Sequence, residues 1–356
     1  MSNLSAHHPK ILLVKLSSLG DVLHNLPIVW DLRERLPNAQ IDWVVEEGYV
    51  HLLKPLLSKE GFRGIDRIIP FGLRRWKKDL FSVQTWKQFF AFRKLLRQSA
   101  YDVVIETQGL LKSALVCALA KKSPHAIVAG LANATEYSGY EPIARYFYNQ
   151  SVQVPTQCHA VDRSREVMSS ALDWGPLSRE QVPQFYPASF VNGISVSSLE
   201  DLHKPYVLCF HSTAREAKRW SSANWIALGQ EISSRGFQIV LPWGNAAEKA
   251  VSVELAAQIP GSLVPRAFSI EEAFSMIAGA ALTVGVDTGL THLAAVLGRP
   301  TVEIYCDSPL WKTEGYWSEN ICNLGDMQAP PSSSEVISAS LSLLNKSDVQ
   351  FNVIKR

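Results

Sequence analysis

A chain of 356 residues, 47% hydrophobic and 19% charged, can bury two cores and is too apolar to be disordered. A formal net charge of +2 gives no ground for a general nucleic-acid binder, so any basic function has to come from a local cluster. Cys117, Cys158, Cys209, Cys306 and Cys322 are scattered with no C-x-x-C pair, which argues against a zinc site or a disulfide framework and fits a reducing compartment.

The chain starts with a polar stretch, "MSNLSAHHPK", that has no signal-peptide core, and it contains no apolar run of the ~20 residues that spanning a bilayer takes. The expectation is a cytoplasmic protein, free to sit on a membrane surface. Strand-like and helix-like runs then alternate. The strands of the first half are "ILLVKL" (11–16), "IDWVV" (41–45), "DRIIP" (66–70), "DVVIE" (102–106) and "AIVAGL" (126–131). They are short, continuous and apolar, as strands covered on both faces must be. Helical patterns cover Val22–Leu36, Trp86–Leu96 and Leu110–Ala120. Residues 173–205 are rich in Pro, Ser and Gly and lack periodicity, which marks a linker between a domain at 1–172 and another at 206–330. In the second domain "YVLCFH" (206–211), "FQIVLP" (237–242), "LTVGV" (282–286) and "TVEIY" (301–305) read as strands. Ser222–Arg235, Ala246–Gln258, Ile270–Gly279, Gly289–Leu297 and Ser333–Leu344 read as helices. Two successive βαβ arrays predict two doubly wound α/β domains, with ligands outside the carboxyl ends of the strands.

Five stretches at such strand ends carry the chemistry. In "KLSSLGDVLHNLP" (15–27), Gly20 is expected to allow a sharp turn, and Asp21 stands at the start of a helix. Asp21 either favours the helix terminus through the dipole or acts as a general base beside the small residues Ser17, Ser18 and Gly20. In "HSTAREAKRW" (211–220), Thr213, Arg215 and Lys218 form either a phosphate site or a solvated loop. In "VGVDTGLTHLAA" (284–295), the N–H groups of Gly289 and Leu290 open a helix suited to an anion. Asp287 there would repel a phosphate and suits sugar hydroxyls, and His292 is either structural or a diphosphate contact. Glu248 in "LPWGNAAEK" (241–249) suits a ribose diol, or is an exposed helix glutamate. Lastly, "RRWKK" (74–78) places four cations around Trp76, as a solvated run or as a site for RNA, a membrane or an acidic substrate.

These stretches, with "DWVVEEGY" (42–49), "ETQGLLKSAL" (106–115) and "HAVDRSRE" (159–166), resemble the ADP-heptose:lipopolysaccharide heptosyltransferases, in the order of the type I members, from about residue 10 to about 345. Type II members are similar around the Asp-Thr-Gly turn but lack "DWVVEEGY" and "RRWKK". The resemblance implies the GT-B fold: two Rossmann-like domains, with a helix at 331–356 crossing back onto the first. It implies inverting transfer of L-glycero-D-manno-heptose from ADP-heptose to the inner Kdo of Kdo2-lipid A, with neither cofactor nor metal. The expected setting is a monomer on the cytoplasmic face of the inner membrane, with no nucleic-acid partner. By position, Asp21 matches the base and Lys218 the group that stabilises the leaving diphosphate. Thr213, Arg215, Glu248, Phe268, Asp287, Thr288, Gly289 and His292 match donor contacts. Ser18, Arg74, Arg75, Lys78 and Arg163 match the acceptor side. The sequence departs from relatives at Ala214 (often Thr), Tyr140 (often Arg) and Phe268 (Met beside the adenine). Two rival readings are a sugar-nucleotide epimerase of the same architecture, which has no use for "RRWKK", and a membrane-surface adaptor, which leaves Asp21, Lys218 and Asp287 unexplained.

Overall fold

The computed structural model describes residues 8–175, 177, 183–195, 205–213 and 215–354. The chain divides into two compact units, Met1–Pro187 and Ala188–Arg356. The first is built from β1 (Lys10–Val14), α1 (Leu19–His24), α2 (Pro27–Arg35), β2 (Gln40–Glu46), α3 (Val50–Leu53), β3 (Arg67–Phe71), α4 (Leu73–Trp76), α5 (Val83–Leu96), β4 (Tyr101–Glu106), α6 (Leu111–Leu119), β5 (Lys122–Leu131), β6 (Gln150–Val152) and α7 (Ala160–Ala171). Its sheet has the order β3-β2-β1-β4-β5-β6 and all its pairings are parallel. That order reverses between β1 and β4, so the loop after β1 lies at the switch point where such sheets take ligands. Leu12, Val14, Val44 and Val104 are fully buried on the central strands, and Phe71, Trp76, Phe92 and Leu96 extend the same core.

The second unit contains α8 (Ala188–Asn192), β7 (Tyr206–Phe210), α9 (Ser222–Ser234), β8 (Gln238–Val240), α10 (Ala246–Ala256), α11 (Ile270–Gly279), β9 (Leu282–Val286), α12 (Gly289–Val296), β10 (Thr301–Tyr305), α13 (Leu310–Thr313), β11 (Ile321–Gly325) and α14 (Ser333–Ile354). Its parallel sheet runs β11-β10-β9-β7-β8, with its reversal between β7 and β9. Val207, Val284 and Ile304 lie beneath Trp225 and Leu228 of α9 in a separate core. Within this unit α14 packs on α9 and on β9 to β11, with Val336, Leu343 and Leu344 in that core.

Several expectations change in detail. The single helix over 22–36 is two, because Pro27 has no N–H to continue a helix and instead opens α2. Gly20 does not make the turn: it is buried inside α1, which starts after Ser18 in extended backbone. Strands β6 and β11 are additional; β6 is only three residues long, and every residue of β11 is half-buried. Part of the expected linker belongs to the first unit, since the Phe185 carbonyl accepts Trp30 Nε1 at 2.9 Å and Tyr186 is buried with its hydroxyl on the Leu52 carbonyl. Residues 1–7, 176, 178–182, 196–204, Ala214 and 355–356, the last two at the end of the expected helix over 331–356, lie outside the described residues.

Candidate functional site

In the first unit the polar groups gather at the carboxyl ends of β1, β2 and β4. Asp21 is the third residue of α1, and its Oδ2 accepts the Ser18 N–H at 2.9 Å and the Ser18 hydroxyl at 2.8 Å. Its Oδ1 lies 3.7 Å from Lys15 Nζ and 3.9 Å from Arg163 Nη2. Burial raises the carboxyl pKa, but Lys15, Arg163 and the Ser18 bonds outweigh it and hold Asp21 well below the usual carboxylate range. The Asp21 side chain is still 39% exposed, so a ligand can reach it, whereas those of Lys15 and Arg163 are almost fully buried. Lys15 donates to the Thr107 carbonyl at 3.0 Å, and burial, partly opposed by Asp21, lowers its pKa to about 8. Arg163 is held by the Thr135 hydroxyl at 2.9 Å. It therefore lies beside Asp21 and is linked by no described bond to the "RRWKK" run.

The four cations of that run have different surroundings. Trp76 is core, edge-on to Phe71 with 5.3 Å between ring centres. Arg74 pairs with Glu46 at 2.6 Å and Arg75 with Glu47. Together with Lys78 they line a cavity of about 300 Å³. Glu46 also holds Lys112 at 3.1 Å, and Lys112 donates to Ser17 Oγ at 2.7 Å. Arg74 is thereby linked through Glu46 and Lys112 to the turn that carries Ser18 and Asp21. Lys15, Glu46 and Lys112 escaped the sequence reading. Lys112 resembled an ordinary exposed helix lysine, and only its pairing with the end of a neighbouring strand shows otherwise.

In the second unit the centre is Asp287, at the end of β9. Its Oδ2 accepts Lys218 Nζ at 2.5 Å and the Ser308 hydroxyl at 2.5 Å; its Oδ1 meets His292 Nε2 at 2.9 Å and the Thr313 hydroxyl at 3.4 Å. The other ring nitrogen of His292 meets Glu303 at 2.9 Å. Burial lowers the His292 pKa, yet the two carboxylates dominate and raise it to about 10, so the ring is an imidazolium at neutral pH. Burial also opposes ionisation of Asp287, and His292 with Lys218 overcomes it and keeps the group ionised. Thr288 caps α12 with extended backbone, and Gly289 opens the helix.

The remaining donor candidates stand at the ends of β7 and β8 or on nearby loops. Thr213 is half-buried and Arg215, exposed, pairs with Asp307 at 2.8 Å. Glu248 accepts the Gly244 N–H and the Asn245 amide, both at 2.7 Å, while Asn245 caps α10 by accepting the Glu248 N–H. Phe268 is half-exposed. His211 was overlooked: it is buried between Ser212 and Ser252, and burial lowers its pKa to about 4, so it is neutral. Glu303, Ser308 and Thr313 were overlooked too, Glu303 because "TVEIY" reads as strand interior.

Among the described residues no group of three His, Cys, Asp or Glu side chains is placed to hold a metal ion. Two parallel doubly wound units, each with its ionised groups at carboxyl strand ends, make the GT-B fold, and the family match makes the chain a glycosyltransferase. The chain belongs to glycosyltransferase family 9 (heptosyltransferase), whose model matches residues 89–340. It is 36% identical over 296 residues to lipopolysaccharide heptosyltransferase 1 of Salmonella typhimurium, covering 83% of this chain and 88% of that one. The solved structure of E. coli heptosyltransferase WaaC with ADP matches with a TM-score of 0.76 and 31% identity, over 94% of this chain and 99% of the other. The same E. coli protein with ADP-2-deoxy-2-fluoro heptose matches with a TM-score of 0.71 and 30% identity, over 95% and 99%.

Proposed function

We propose that the protein transfers L-glycero-D-manno-heptose from ADP-heptose to the inner Kdo of Kdo2-lipid A, inverting the anomeric centre, during assembly of the lipopolysaccharide inner core. The observation that carries this reading is Asp21, an accessible carboxylate kept ionised by Lys15 and Arg163 at the switch point of the first sheet. The likeness to lipopolysaccharide heptosyltransferase 1 and to a structure holding an ADP-heptose analogue supports the substrates.

In this reading Asp21 takes the proton of the attacking Kdo hydroxyl as the new O–C1 bond forms. The bond from C1 to the diphosphate breaks, and its electron pair leaves with ADP. So acidic a carboxylate is a weak base towards a resting alcohol. It suffices because the hydroxyl becomes strongly acidic as it bonds to the anomeric carbon. Lys218 and the free N–H groups at the start of α12 offset charge growing on the diphosphate. Asp287 with His292 holds Lys218 in place beside the donor. Thr213 and Arg215 add diphosphate contacts, Glu248 takes the ribose diol, and Phe268 stacks on the adenine. Arg74, Arg75 and Lys78 meet the acidic acceptor. The reaction needs no metal, and the enzyme works as a monomer at the cytoplasmic face of the inner membrane.

The test is incubation with ADP-heptose and Kdo2-lipid A, followed by mass spectrometry. The expected product is acceptor heavier by one heptose, with ADP released. An unchanged acceptor, or donor isomerised without acceptor as an epimerase would do, overturns the reading.

A further inference from the structure

A surface of the first unit plays no part in the chemistry above. From Leu80 to Phe90 the chain exposes large apolar side chains: Phe81 is 97% exposed, Val83 71%, Leu80 and Phe90 56% each, and Trp86 53%. Val83, Trp86 and Phe90 recur at helical spacing on one stripe of α5, while Phe92 and Leu96 turn inward to the core. Trp86, Phe89 and Phe90 stack into one aromatic cluster, with ring centres 5.7–6.2 Å apart. Beside it an apolar groove of about 560 Å³ runs between α5 and α6, and Leu115 on its far wall is 46% exposed. Scattered surface hydrophobes are ordinary; a contiguous patch of this kind marks a contact surface.

Charge selects the partner. Residues 73–98 carry eight cations and one acid, Asp79, a net of +7 in a chain whose total is +2. Arg74 and Arg75 are answered by Glu46 and Glu47, but Lys77, Lys78 and Lys87 make no ion pair among the described residues. A second copy would oppose this charge with its own, and like-charge juxtaposition disfavours that dimer. An anionic bilayer satisfies both halves of the patch: aromatic and aliphatic tips enter the headgroup boundary while lysines around them meet lipid phosphates. We infer that the α4–α5 connection and the first turns of α5 are the surface by which the protein docks on an anionic lipid bilayer. The inference deepens the proposed function and rests on it, since that acceptor is a membrane lipid. The same chemistry would bring the basic cavity at Arg74, Arg75 and Lys78 to the plane in which acidic headgroups lie.

The test is flotation of the full chain, without donor or acceptor, with vesicles of phosphatidylcholine alone or mixed equally with phosphatidylglycerol. The wild type is expected to float with the anionic vesicles and less as salt rises. Replacing Phe81 and Trp86 together by Ser should lower the partition coefficient at least about tenfold, because two buried aromatic tips are lost. Lys77→Gln with Lys87→Gln should lower it about fivefold per charge. Calorimetric ADP binding should match wild type in both variants, which also reports on folding; if the aromatic pair disturbs it, the lysine pair decides. Wild type that fails to float, or variants that float like wild type, overturns the inference. So does binding seen only when vesicles contain the acceptor lipid, which would make the groove an acyl-chain seat, or a lipid-free dimer that the aromatic variant dissolves. A parallel transfer assay on a deacylated, soluble acceptor keeps the two claims apart. Loss of transfer there by wild type sinks the proposed reaction and leaves the vesicle result to stand by itself.

Discussion

Asp21 is controlled by neighbours that differ in kind. The Ser18 hydroxyl and N–H fix its orientation, and Lys15 and Arg163 fix its charge. Asp21→Asn keeps the shape and removes the proton acceptor, so turnover should fall about 10²–10⁴-fold with ADP binding unchanged. A rate within a few-fold of wild type on Kdo2-lipid A would remove Asp21 from the role of base. Lys15 adds a pH limb. Its pKa of about 8 lies below the ordinary lysine value, so it is charged at neutrality and discharges as pH rises through that point. Between there and the unfolded lysine value near ~10.4 the unfolded chain binds more protons, so this group raises stability with pH while the partner of Asp21 is lost. Asp21 works in the opposite sense: its depressed pKa contributes stability above the unfolded value near ~3.9, lost as pH falls through the folded one. Activity on the soluble acceptor should therefore decline above about pH 8, and Lys15→Met should lack that decline. An alkaline limb that persists in Lys15→Met assigns it to another group.

At the scale of elements, the proposed donor side depends on how closely α12 approaches β9. Gly285, inside β9, faces the Thr291 side chain of α12: a Cβ there would lie 2.0 Å from Thr291 Oγ1. That hydroxyl donates back to the Val286 carbonyl at 2.8 Å, which ties the helix to its own strand. The close approach sets the Asp287–Thr288–Gly289 turn against Lys218. Gly285→Ala should displace α12, cost about 1–3 kcal/mol of stability and weaken ADP binding. Denaturant unfolding and calorimetry would show both effects; an unchanged midpoint with wild-type ADP affinity would mean that α12 does not depend on this contact. The first sheet uses a different device at the same place. The end of β2 supplies Glu46, and its pairs with Arg74 and Lys112 bind α4, α6 and the β1 turn into one charged network.

Across the molecule, the two units have separate cores, and the proposed reaction divides its chemistry between them: base and acceptor cations on the first, donor groups on the second. ADP bound at a hundred times its Kd stabilises the state that holds it by about 2.7 kcal/mol. Hydrogen exchange should accordingly slow on ADP addition at the carboxyl ends of β7, β8 and β9, and Lys218→Ala should lose most of that protection. Protection confined to residues 8–175, or undiminished in Lys218→Ala, would refute the division. The alternation of short apolar runs with helical periods was enough to read two doubly wound domains, because burial on both faces leaves a local pattern, and the family motifs pointed to Asp21, Lys218 and Asp287 as the residues of the proposed chemistry. The sequence did not show that Pro27 divides the first helix or that Phe185 and Tyr186 pack into the first unit. Nor did it show that Glu303 lies against His292 and Lys15 against Asp21. Apart from the local effect of Pro27, those outcomes depend on residues far apart in the chain, as Asp21 with Arg163 and Trp30 with Phe185 show. Which charge survives burial is decided by the neighbours that folding brings within about 4 Å, where Coulomb attraction in a low-dielectric interior can exceed the cost of desolvation.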